Sequence, residues 1–126
     1  MSSPEKRPLE RGREEVRAAR ALLEAGFPSQ AVSHAFMAGF QAATAALYAI
    51  GEAPTTRTGM LSSFSRHVVG DDGVDHEDGR ILRKLFEDRS YVGHALGQAP
   101  EREAQAAIAS AERLVDATAR WIERRS

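Results

Sequence analysis

The chain has 126 residues, enough for one domain with a single core. Its 17 basic and 18 acidic residues nearly cancel, which argues against attachment to nucleic acid by bulk charge and leaves room only for a local basic patch. Cysteine is absent, which excludes disulfides, thiol nucleophiles and cysteine metal sites. The N-terminus lacks a signal-peptide core, and no apolar run approaches the roughly 18 residues that cross a bilayer. We therefore expect a soluble cytoplasmic protein without membrane contact.

Glycine and proline divide the chain into helices, because alanine is abundant and no strand-like alternation persists. After a flexible segment, residues 1–7, the first helix is predicted from about Pro8 to Ala25, with Gly26 at its end. The second begins near residue 28 or 29 and ends before Gly51. It is apolar on most sides, which is typical of a central helix.

A short third helix is predicted around Met60, Leu61, Phe64 and Val68. The stretch GDDGVDHEDG that follows carries carboxylates and a histidine from Asp71 to Asp78, all of them possible metal ligands. It lacks the EF-hand order of ligands. The pattern favours a solvated loop that ends in a helix N-cap, Asp75 or Asp78, and no metal site or cofactor is expected.

The fourth helix is predicted from about Asp78 to Val92, ended by Gly93, and the fifth opens at Pro100. Short loops between substantial helices indicate an up-and-down arrangement. The predicted fold is all-α: one domain, residues 1–126, built as a four-helix bundle with an additional short helix.

Arg89 occupies a position where a core residue is expected, on one stripe of the fourth helix with Leu82, Leu85 and Val92. Such an arginine can lay its stem on apolar surface or pair with a buried carboxylate. It can also line a cleft or a dimer seam, where its planar donor fork suits phosphate. The residues alone leave these alternatives open.

His94 follows Arg89 by five residues, an Arg-x4-His spacing. On an ideal helix, positions five apart are separated by about 140° around the axis and about 7.5 Å along it. The two residues therefore converge only if Gly93 breaks the helix or if they pair across a dimer.

Three blocks follow in order along the chain: AVSHAFMAGFQAATAALYAIG, TRTGMLSSFSRHVV and ILRKLFEDRSYVGHAL. Together they resemble the HEPN family (higher eukaryote and prokaryote nucleotide-binding domain). The first is similar to the family's second helix, with Phe36 and Met37 at a tyrosine pair. The second resembles its T-H-S-G segment, with Arg57 where histidine is usual. The third is similar to its L-x-x-L-x-x-x-R-x-x-A-D-Y segment. The last helix, with ASAERLVDATARWI, also resembles the family, and the resemblance covers about residues 10–124.

The resemblance implies a helical bundle that forms a homodimer and binds nucleotide or RNA in a cleft at the two-fold axis. Many members are metal-independent ribonucleases that use an Arg-x4-6-His pair, often as toxins paired with a minimal nucleotidyltransferase antitoxin. On that basis Arg89 and His94 are the candidate catalytic residues. Arg57, Arg89, Ser90 and Tyr91 are the candidate nucleotide- or RNA-binding residues.

The chain also departs from the family pattern. Many relatives have Asp-Tyr at Gly93-His94, so His94 stands either as a catalytic base or as a replacement for the tyrosine of a non-catalytic branch. Ser90 follows the arginine where asparagine or another polar residue is usual. The alternative function is therefore a non-catalytic module that pairs with a nucleotidyltransferase or acts as a dimeric scaffold. Whether the chain is an enzyme stays open at this point.

Overall fold

The computed structural model describes residues 3–70, 73–94 and 101–125, and of these the stretch 88–94 by its backbone only. Five α-helices occupy this part of the chain: α1 (Lys6–Glu24), α2 (Pro28–Ala49), α3 (Arg57–His67), α4 (His76–His94) and α5 (Glu101–Arg125). The predicted all-α class and its one short helix are confirmed. None of the described helices combines the length and apolarity that a membrane span requires.

Both ends of α1 lie within two residues of the positions predicted from proline and glycine. Gly26 adopts a positive φ of 93°, which suits glycine at a helix C-terminus. At the other end α1 begins at Lys6, so it includes the last two residues of the predicted flexible segment. Pro8 is tolerated there because the first backbone N–H groups of a helix have no intrahelical partner.

The central helix is α2, which contacts each of the other four helices. Its buried face is dominated by side chains of one or no carbon atoms, which allow its neighbours to approach closely. These residues are Ala31, Ala35, Ala38, Gly39, Ala42, Ala43, Ala45 and Ala46. Two glycines mark the closest approaches. Gly12 of α1 lies against the backbone of Ala38, and Gly39 lies directly under Leu85 of α4.

Ion pairs link helices at the surface of the bundle. Between α1 and α5, Arg20 donates to both carboxylate oxygens of Glu112 at 2.8 Å. This hydrogen bonding lowers the pKa of Glu112 and raises that of Arg20. Between α4 and α5, Arg113 donates to the buried carboxylate of Asp78 at 2.7 Å. These pairs add little to stability, because each has an exposed member.

A short backbone stem closes the connection between α3 and α4. Val74 N–H donates to the carbonyl of Val68 at 2.8 Å, and Gly70 N–H donates to the carbonyl of Val74 at 3.0 Å. Asp75 then caps α4 by accepting a hydrogen bond from the Glu77 N–H. The predicted N-cap is thus Asp75, whereas Asp78 is the buried partner of Arg113. Among the residues described, no three histidine or carboxylate side chains are grouped to hold a metal ion.

Candidate functional site

The first residue of α3, Arg57, is positioned by the helix cap that precedes it. Thr56 has extended backbone dihedrals, and its hydroxyl accepts a hydrogen bond from the Gly59 N–H at 2.9 Å. A Cβ on Gly59 would lie only 2.8 Å from that oxygen, so glycine suits this position. The T-x-x-G spacing of the sequence is therefore an N-cap, and it fixes where the Arg57 side chain leaves the helix.

Arg57 lies over two aromatic rings that belong to different helices. Its guanidinium carbon is 5.3 Å from the ring centre of Phe36 on α2 and 5.5 Å from that of Phe86 on α4. The two rings contact each other, with centres 4.8 Å apart. Both phenylalanines are buried, so the guanidinium covers the edge of the core. A cation held over two ring faces is attracted by both, and its outer face remains available to a ligand.

This arrangement brings one predicted binding residue next to the α4 segment that carries the others. Phe86 precedes Arg89 by three residues, which corresponds to about 4.5 Å along a helix. Arg57 therefore contacts α4 at a residue three positions before Arg89 in the sequence. The side chains of Arg89, Ser90, Tyr91 and His94 lie outside the described part of the structure. Their assigned roles stay predictions.

One expectation about this segment is wrong. Gly93 was predicted to end the fourth helix, but α4 continues through Gly93 to His94. A single glycine inside a helix costs only about 1 kcal/mol, which neighbouring turns can offset. Because the helix is continuous, Arg89 and His94 occupy positions about 140° apart around its axis. The described part of α4 contains no break between positions 89 and 94.

A second feature of the same region was not predicted from the sequence. Two adjoining cavities of about 230 and 400 Å³ lie between α3 and α4 and share Leu61, Ser65 and Arg83. We call them together the α3–α4 groove. Its polar lining consists of Thr58, Ser62, Ser65, Arg66, His76, Arg80 and Arg83.

The polar residues of each groove wall show helical spacing in the sequence, one set on α3 and one on α4. Thr58, Ser62 and Ser65 recur at +4 and +3 on α3, and Arg80 and Arg83 are three residues apart on α4, so each set shares a helix face. The pattern does not show that the two faces meet. Their meeting depends on the backbone stem that joins the helices.

Comparison with known proteins decides the family. The sequence profile of the HEPN domain matches residues 6–121, nearly the whole chain. The chain belongs to the HEPN family. It is also 29% identical over 108 residues to a protein of Methanocaldococcus jannaschii named "Putative toxin MJ0605", covering 86% of this chain and 81% of that protein. The resemblance carried by the three sequence blocks is therefore confirmed at the level of the HEPN family.

Proposed function

We propose that this HEPN protein is a toxin-type ribonuclease that binds and cleaves single-stranded RNA without a metal ion. The observation that carries the proposal is the HEPN match over residues 6–121 in a chain that places an Arg-x4-His pair on α4. The similarity to a protein named as a toxin supports the same class. The proposed setting is the cytoplasm, where RNA is available as substrate.

The chemistry assigns one role to each residue of the pair. A histidine with a pKa near neutrality can remove the proton from a ribose 2′-OH. The 2′-oxygen then attacks the adjacent phosphorus, the bond from phosphorus to the 5′-oxygen breaks, and a protonated imidazole supplies the proton to that leaving oxygen. The products are a 2′,3′-cyclic phosphate and a 5′-hydroxyl. Arg89 would hold the phosphate oxygens as negative charge develops on them.

The continuous helix α4 favours a site shared between two copies of the chain. Positions 89 and 94 are about 140° apart around one helix, but a two-fold axis beside α4 would set Arg89 of one copy near His94 of the other. Such a homodimer carries two equivalent sites in one cleft. It also brings two arginines to the substrate, which supplies local positive charge to a protein whose net charge is −1.

Cleavage of a labelled single-stranded RNA in the presence of EDTA tests the proposal. His94→Ala and Arg89→Ala should each reduce the rate by about 100-fold or more, in line with the loss of a general base or of a charge-stabilising group. The control is His67→Ala, because His67 is exposed at the end of α3 and should leave cleavage unchanged. Cleavage that survives His94→Ala would refute the catalytic role of the histidine.

Mixing the two inactive variants tests the shared site. If Arg89 and His94 act across the dimer, a heterodimer of Arg89→Ala with His94→Ala contains one intact site. Random exchange of subunits should then restore about a quarter of the wild-type activity. A site within each chain would give no restoration.

The near-zero net charge favours a second candidate, a non-catalytic partner of a minimal nucleotidyltransferase antitoxin. In this case His94 replaces the tyrosine of the non-catalytic branch. The purified chain would then leave RNA intact at every concentration tested, and it would form a stable complex with a nucleotidyltransferase expressed alongside it. RNA cleavage that depends on His94 excludes this candidate.

A further inference from the structure

The described lining of the α3–α4 groove carries three arginines, Arg66, Arg80 and Arg83. No aspartate or glutamate appears among the described residues that line it, although the chain has 18 acidic residues. Arg80 is paired with Glu77 at its rim. Arg66 and Arg83 make no ion pair within the part of the chain that the structure describes. By contrast, Arg13, Arg20 and Arg113 each bind a carboxylate.

The α3 wall of the groove supplies hydroxyl groups beside these two cations. Thr58, Ser62 and Ser65 are exposed and lie on one face of α3, with Arg66 next to the last of them. Hydroxyls and guanidinium groups are the side-chain donors that most often contact phosphate oxygens in nucleic-acid complexes. Among the described residues, the groove therefore combines two arginines that make no ion pair with three hydroxyl donors, and no carboxylate lines it.

The direction of the groove relates it to the predicted catalytic residues. On α4, Ser90 lies seven positions and His94 eleven positions after Arg83. These spacings return to within about 20° of the same face of a helix, and eleven residues extend about 16.5 Å along it. The α4 positions of Ser90 and His94 thus continue the line that begins at Arg83.

From these observations we infer that the α3–α4 groove binds the phosphodiester backbone of single-stranded RNA and leads it along α4 towards Ser90 and His94. The inference rests on the proposed function for the identity of the ligand. Arg66 and Arg83 each neutralise one phosphate, and the hydroxyls of α3 orient the strand between them. The groove adds a binding track that lies apart from the Arg89 position.

The salt dependence of RNA binding tests the groove directly. The probe is a fluorescein-labelled 12-nucleotide RNA with 2′-O-methyl groups, which cannot be cut because the attacking 2′-OH is blocked. Each phosphate contact on a single strand contributes about 0.7 to the slope of log affinity against log salt concentration. The double variant Arg66→Gln/Arg83→Gln should therefore lower the slope by about 1.4 and weaken binding about 25-fold at 0.1 M salt.

Arg17→Gln/Arg120→Gln is the matched control, because it removes the same charge from exposed positions on α1 and α5. Its slope should stay within error of the wild type. A further variant, Ser65→Glu, places a negative charge in the groove and should also weaken binding. Circular dichroism melting of each variant checks that the fold is retained, as expected for exposed positions.

The outcomes separate this inference from the proposed function. Equal slopes for the groove variant, the control and the wild type would overturn the groove, while His94-dependent cleavage would leave the proposed function standing. A wild-type chain that binds no RNA would overturn both. A smaller dependence of RNA affinity on salt in the groove variants alone supports RNA binding by the groove, even if cleavage is absent.

Discussion

Two glycine-to-alanine substitutions in the bundle should have opposite effects on stability. At Gly12 of α1, an added Cβ would meet its nearest neighbour, a methyl group of Val115, at 3.4 Å, an ordinary contact. Alanine is favoured over glycine inside a helix by about 1 kcal/mol, so Gly12→Ala should stabilise the fold by about that amount. At Gly39 of α2, the Cβ would lie 2.9 Å from Cδ1 of Leu85, which is itself buried.

That close contact makes Gly39→Ala destabilising, whereas Gly12→Ala is stabilising. Overpacking a core costs about 1–3 kcal/mol, which exceeds the gain in helix propensity and leaves a net loss of about 1 kcal/mol. The two variants should therefore differ by about 2 kcal/mol in the free energy of unfolding, measured by urea denaturation at equal m-values. For a domain of this size the separation in Tm should be about 8 °C.

A double-mutant cycle tests whether the Leu85 side chain causes the loss of stability in Gly39→Ala. In a Leu85→Ala background, the nearest atoms to the new Cβ would be methyl groups of Leu114 and Leu82 at 3.7 and 3.8 Å. Gly39→Ala should then stabilise as Gly12→Ala does, which gives a coupling of about 2 kcal/mol between positions 39 and 85. Equal stabilisation by Gly39→Ala and Gly12→Ala in the wild-type background would refute the close packing of α4 on α2.

Three further predictions concern the stem between α3 and α4, the cation–π contacts of Arg57 and the Arg20–Glu112 ion pair. Gly73→Ala should destabilise by several kcal/mol or prevent folding, because its Cβ would overlap the carbonyl oxygen of Val68; thermal melting measures this. Arg57→Ala should cost about 1–2 kcal/mol through two lost cation–π contacts and should weaken RNA binding, as read by urea denaturation and anisotropy. Because Arg20 lowers the pKa of Glu112, the pair stabilises the fold above the ordinary glutamate pKa of about 4.3 and loses this contribution as the pH falls through the lowered value. Arg20→Met should flatten that acid dependence in melts between pH 3 and 6, and an unchanged profile would contradict it.

The helices themselves were predictable from the sequence because their signals are local. Gly26 and Gly51 end α1 and α2 with positive φ angles, which only the backbone freedom of glycine makes easy. The alanine-rich face of α2 likewise identified the central helix, since small buried side chains are useful only where neighbours come close. These features depend on residues within a few positions of one another.

What could not be predicted depends on contacts between distant segments. Gly93 has the same local signal as Gly26, yet α4 extends one residue beyond it, because about 1 kcal/mol of helix propensity does not decide where a helix ends. Arg57 was recognised only by its position in the family pattern. Its place over Phe36 and Phe86 requires α2, α3 and α4 to meet, which no window of sequence contains.

The hydrogen-bonded stem between Val68 and Val74 joins the end of α3 to the segment that begins α4 through backbone groups alone. Both of its cross-bonds close within residues 68–74. Val69 and His76, which lie in and beside this segment, line one end of the α3–α4 groove. The relative position of the two groove walls at that end is therefore set by local backbone hydrogen bonds rather than by contacts between distant segments.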